Sequence, residues 1–168
     1  MPAALLLALT LHAADAPYLP DDYKQVRDRG NKASLLVYTV FSVATLATGF
    51  AGFFTTQDHF WQGVHIAHLV WGGTNTVIAG ICLYNAFKGD TETDPAKLLQ
   101  DGKNAQLAYT INSLFDVATT VVSVVMLAEL RDARWQGFAA SSLVQSLFLL
   151  AYDASMAVYH GLNNERAR

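Results

Sequence analysis

Two aspartates set inside long uncharged runs are the residues of this chain best placed to do chemistry. Asp116 lies near the middle of Ala105–Leu127 and Asp153 lies within Phe138–Gly161, and neither segment contains Lys, Arg or Glu. A carboxylate at the centre of a hydrocarbon layer costs at least ~2.5 kcal/mol, so each must be compensated by its neighbours. The neighbours are amides and hydroxyls. Asn112, Asp116, Thr119 and Ser123 recur at helical spacing and share one face of the third apolar segment. On the fourth, Ser142, Gln145, Asp153 and His160 follow one stripe, and on the second His68, Gly72, Asn75 and Ala79 do the same. Centring the third segment near Val117 and the fourth near Phe148 brings Asn112 and Asp153 to similar depth. An Asn112–Asp153 hydrogen bond is then sterically reasonable, with Asp116 about a turn deeper and Asn75 at the depth of Asp116.

Asn75, Asn112, Asp116, Gln145 and Asp153 therefore form a candidate interior polar cluster with two readings. In one, amides and acids close a hydrogen-bond network that fixes helix register, at ~0.6–2 kcal/mol per bond. In the other, the two carboxyls line a cavity or relay for protons, a cation or a polar lipid headgroup, the usual role of ionisable groups inside a membrane. No Lys or Arg lies deep in a segment to pair with them. His59, His65 and His68 open the second segment and His160 ends the fourth. Those two segments run parallel, which puts His68 and His160 near opposite faces and argues against one haem between them; they are secondary candidates. Ordinary interfacial hydrogen bonding accounts for the histidines, and no metal or other cofactor is expected. The chain has no GxSxG, HExxH or phosphate-cradling loop, so the reading is that it is not an enzyme.

The elements that must position these residues follow from charge distribution. Leu35–Phe54, Val64–Phe87, Ala105–Leu127 and Phe138–Gly161 contain no Lys, Arg or Glu and only the two Asp, whereas helices of a soluble bundle would each carry a charged stripe. Each is long enough to cross ~30 Å at ~1.5 Å per residue. The fold class is all-α: a four-transmembrane-helix up-down bundle with short turns near Thr56–Asp58 and Arg131–Arg134 and a longer polar loop containing Gly89 and Pro95. Residues 1–16 form a signal-like apolar segment, 17–32 a polar lead-in, 33–163 the four-helix membrane domain and 164–168 a tail. A cleaved signal would put the amino terminus outside. The positive-inside rule puts both tails in the cytoplasm, because all basic residues except Arg131 and Arg134 lie in the tails and the middle loop. Orientation stays open. The single cysteine, Cys82, excludes an intrachain disulfide, and nothing in a net charge of −3 suggests nucleic acid.

An internal repeat is visible at an offset of 74 residues. Phe41, Val43, Ala44 and Thr45 match Phe115, Val117, Ala118 and Thr119, and Trp61-Gln62-Gly63 matches Trp135-Gln136-Gly137. Agreement of two separate matches on one offset points to two repeated helix pairs in parallel orientation. The acids are not duplicated, since Asp116 corresponds to Ser42 and Asp153 to Ala79. A site built on them is not a symmetric inheritance.

From Gly30 to Asn163 the chain resembles a family of uncharacterised four-helix bacterial integral membrane proteins, a domain of unknown function. The resemblance is carried by Gly30-Asn31-Lys32, Trp71-Gly72 with Asn75 and Ile78-Ala79, Asn112 with Asp116, and Gln145, Phe148-Leu149-Leu150, Asp153 and His160. It implies a bacterial inner-membrane location and that Asn112, Asp116, Gln145 and Asp153 act as one unit; it implies no activity. The expectation is a non-enzymatic small subunit or binding module, with a small transporter or proton- or ion-conducting protein using Asp116 and Asp153 as the alternative. Membrane lipids, other membrane subunits or a second copy are the expected partners.

Overall fold

The computed structural model describes residues 20–89 and 91–167; the signal-like segment 1–16 lies outside them. Four helices follow one another: α1, Pro20–Thr55; α2, His59–Lys88; α3, Pro95–Glu129; and α4, Ala133–Arg166. All four are long and apolar enough to cross a membrane. Each of the last three starts on an aspartate whose carboxylate takes backbone N–H groups of the first turn: Asp58 from Trp61, Asp94 from Ala96, and Asp132 from Arg134 and Trp135. Pro95 adds a preset φ at the first position of α3, and α2 stops at Gly89, whose φ of 84° few side chains tolerate. In the loop before α3, the Glu92 carboxylate accepts the N–H groups of Asp94 and Thr93. Those bonds, with Lys97 at 3.3 Å, hold its pKa below the ordinary glutamate value.

The bundle is apolar outside and polar inside. Phe54 is 77% exposed, Leu114 and Val144 66% each and Val77 64%, while Ser42, Ser123, Ser142, Ser146, Asn75, Gln145 and both aspartates are buried. Such a distribution would leave a water-soluble bundle coated in hydrocarbon, and it is what helices need when their surroundings are lipid. Several hydroxyl groups in the spans return to their own helix, as Ser42 does to the Tyr38 carbonyl at 2.8 Å and Ser113 to that of Tyr109 at 2.9 Å, whereas Thr76 Oγ1 is buried without a partner.

Backbones approach closely where glycine permits it. A Cβ on Gly49 would press on the Leu69 backbone and one on Gly72 on that of Leu46, which sets the α1–α2 contact on the Ser42, Thr45, Gly49 stripe. Between α2 and α4 the contact is reciprocal: a Cβ on Gly63 would overlap the Arg134 carbonyl, and one on Gly137 the Phe60 carbonyl. These partners differ by the same 74 residues seen in the sequence. The turns repeat at that offset too, with Gln62 donating to the Thr56 carbonyl and Gln136 to the Leu130 carbonyl. α1 packs on α2, α2 on α4 and α4 on α3, whereas α2 and α3 barely touch.

Residues 20–32 of the polar lead-in are the first turns of α1. They are bound to the ends of α3 and α4: Tyr23 Oη donates to Asn164 at 2.7 Å, Asn164 to Gln106 at 3.1 Å, Tyr159 Oη to the Val26 carbonyl at 2.7 Å, and Arg27 to the Leu98 carbonyl at 3.1 Å. Residues 20–32 therefore continue the bundle beyond the apolar span.

Adding one methyl group separates the glycine contacts from mere helix propensity. Gly63→Ala and Gly137→Ala each lower unfolding stability by about 1–3 kcal/mol, because the obstacle is a backbone carbonyl. Gly80→Ala, with nothing within 4 Å of the new Cβ, leaves stability unchanged or slightly raised. Unfolding in mixed micelles measures all three, and equal losses at all three positions would contradict the packing described.

Candidate functional site

A cavity of about 620 Å³ opens among all four helices, and the acids sit on its wall. α2 contributes Asn75, together with Trp71, Thr74, Ile78 and Cys82; α3 contributes Asn112 and Asp116, with Tyr109 a turn earlier. α4 supplies Asp153 beside Tyr152 and Leu149, and α1 closes the site with Leu35 and Tyr38. The Asp116 and Asp153 carboxyls lie within hydrogen-bonding reach of each other. Such a bond takes one proton between the two groups. Asp116 Oδ2 and Asn75 Nδ2, both buried, have no hydrogen-bond partner.

The aromatic side chains stiffen the wall. Tyr38 stacks on Tyr152 with ring centroids 5.3 Å apart, Tyr109 meets Tyr152 edge-on at 6.1 Å, and Phe41 stacks on Phe148 just beyond the cavity. Trp71 is fixed by its N–H, which donates to Ser142 Oγ at 3.0 Å. Positions 74 residues apart take part in pairs: Leu35 with Tyr109, Tyr38 with Asn112, Asn75 with Leu149, and Ile78 with Tyr152 all line the cavity. The cavity thus lies where the two helix pairs meet, and the paired positions carry unlike side chains.

The sequence-derived cluster is brought together in part. Asn75, Asn112, Asp116 and Asp153 share the cavity, but Gln145 does not line it. Eight residues separate Gln145 from Asp153, about 12 Å along the helix, and its amide donates instead to Ser141 Oγ at 3.1 Å. The expected Asn112–Asp153 hydrogen bond is replaced by the Asp116–Asp153 approach, while Asn112 stands exposed at the cavity's edge. His68 packs its Cβ against Gly49 on the α1 side of α2 and meets His65 edge-on at 6.1 Å, away from the acids. His160 is fully buried, stacked on Tyr109 at 5.5 Å, and both ring nitrogens lack a hydrogen-bond partner. Among the described residues no three His, Cys, Asp or Glu side chains converge as a metal-binding set.

Tyr109 and Tyr152 were not legible as site residues from charge and amide spacing alone. Tyr109 stands three and seven positions before Asn112 and Asp116, the same helical face, and Tyr152 adjoins Asp153. A search for aromatics on the polar faces would have found Tyr109.

A family model described as a family of unknown function, DUF6992, matches residues 37–154. The chain belongs to this family. No curated protein and no solved structure matches it. The DUF6992 segment contains every cavity-lining residue except Leu35 and ends one residue after Asp153, so the family assignment and the cavity describe the same part of the bundle.

A double-mutant cycle tests the acid pair in this DUF6992 protein. Asp116→Leu and Asp153→Leu each strand the other carboxyl and are strongly destabilising, whereas the double replacement recovers much of the loss. The expected coupling is on the order of 1–3 kcal/mol, read from unfolding of the four proteins; additive losses would mean that the two side chains do not meet.

Proposed function

We propose that this protein is a non-enzymatic integral membrane binding module of the bacterial inner membrane, holding a small ligand in its interior. The observation that carries the proposal is the cavity of about 620 Å³ whose wall is largely apolar and aromatic apart from Thr74, Asn75, Asn112, Asp116 and Asp153. Sites of this size and lining take small molecules and orient them by a few polar groups. A bundle needing only helix register would fill that space, since voids in a core are destabilising. Its two helix pairs, related by the 74-residue offset, are read as a duplication whose meeting surface became the site. Membrane lipids surround it, and a second copy or other membrane subunits are its candidate protein partners.

A second reading is favoured by one observation: a smaller polar cavity of about 200 Å³, lined by Arg27, Asp28, Asn31, Asn85 and Asp101, shares Ala105 with the main one. In that reading water-side groups reach towards the acid pair, and Asp116 and Asp153 exchange protons or a cation.

Native mass spectrometry of the protein gently extracted from its own membrane, beside Asp116→Asn/Asp153→Asn, distinguishes the readings. A bound small molecule present in the wild type and lost from the variant is the expected result. Absence of any adduct, with proton uptake into reconstituted vesicles that the variant abolishes, favours the exchange reading.

A further inference from the structure

The cavity has its mouth within the apolar spans. Thr74, Ile78, Asn112 and Phe115 line it and are also exposed, Ile78 at 46% and Phe115 at 63%. They lie on α2 and α3, the two helices that barely touch. Thr74 sits near the middle of the apolar run Val64–Phe87 and Asn112 about a turn from the middle of Ala105–Leu127, so this opening faces the hydrocarbon layer and not either water phase. An exposed amide at that depth is costly with no partner, and a molecule passing or resting in the mouth would supply one.

The interior end of the cavity restricts what that molecule carries. Asp116 Oδ2 is a buried acceptor without a donor, and Asn75 Nδ2 a buried donor without an acceptor. Both side chains face the same space and are about nineteen-twentieths buried, at 5% and 6% exposure. Because they do not bond each other, their complement is a group that both donates and accepts. A hydroxyl does so; a quinone carbonyl only accepts, and an ammonium only donates. At the roughly 30 Å³ that a small group occupies in a liquid, 620 Å³ holds on the order of twenty non-hydrogen atoms, enough for one chain and too few for a two-chain phospholipid.

Resting on the binding reading above, we propose that the cavity takes up a single-chain lipid alcohol sideways from the bilayer through the gap between α2 and α3. Its hydroxyl donates to Asp116 and accepts from Asn75, and its chain lies along the aromatic wall. Asn112 marks the gate.

Trp71, on the cavity wall, provides the readout. In a Trp61→Phe/Trp135→Phe background it is the only tryptophan. Bromine-tagged hexadecanol in phosphatidylcholine nanodiscs should quench its fluorescence saturably, and untagged hexadecanol should reverse the quenching. The methyl ether of the same chain, which cannot donate, should bind at least ~10-fold more weakly to the unaltered site, as should the alcohol to Asn75→Leu. Asn112→Phe should slow the approach to saturation by ~10-fold or more by narrowing the mouth. Equal binding of alcohol and ether would overturn the hydroxyl assignment, leaving water as the partner of the two polar groups. An unchanged rate in Asn112→Phe would overturn the sideways route. Linear, unsaturable quenching would overturn the lipid alcohol altogether; if a native adduct dependent on the acids were still found, the binding reading would stand with another ligand, and if none were found, both would fall.

Discussion

The whole structure depends on one constraint: a helix surrounded by hydrocarbon has nothing outside itself to satisfy a polar group. Every amide, acid and hydroxyl in the apolar segments must find a partner within its own helix or in the interior. Ser42 and Ser113, among others, meet this by bonding back to the preceding turn. Asn75, Gln145, Asp116 and Asp153 are too short of backbone partners for that, and their burial orients the helices around them. Glycine then sets how close the helices come, with Gly63 and Gly137 against backbone carbonyls. The outward faces need only be apolar, which is why large side chains such as Phe54 and Leu114 stand exposed.

The fold was legible because that constraint writes itself into composition. Four uncharged runs, the short turns between them and the polar stripes at helical spacing were enough to expect four helices and the faces that turn inward. What failed was adjacency. Gln145 and Asp153 occupy one stripe, but a shared stripe does not bring residues eight apart together. Asn112 was paired with Asp153 from estimated depths, and an error of one turn in where a span is centred exchanges Asn112 for Asp116 as the partner. The lead-in could not be recognised as part of α1 because its contacts run to distant residues, Asn164, Tyr159 and the Leu98 carbonyl, with no signature in local pattern. A cavity is harder still to read, being the place where four faces fail to meet.

The 74-residue offset links these observations. It relates the two turns, the two glycine contacts and opposite pairs of cavity positions, while the chemistry at those positions differs. Tyr38 faces the place of Asn112, and Leu149 that of Asn75. One helix pair supplies Asn75 with Tyr38 and Trp71; the other supplies Asn112 and both acids with Tyr109, Phe115 and Tyr152. The amides and acids are thus divided unequally, one from the first pair and three from the second, an asymmetry on which the proposed binding reading rests.

All of this rests on Asp116 and Asp153 meeting inside the bundle. Solid-state NMR of protein labelled with ¹³C-aspartate in lipid bilayers tests it most directly. The account predicts a through-space correlation between the two carboxyl carbons that disappears from its position in both Asp116→Asn and Asp153→Asn. Two carboxyl signals that correlate only with lipid chains, and not with each other, would contradict it.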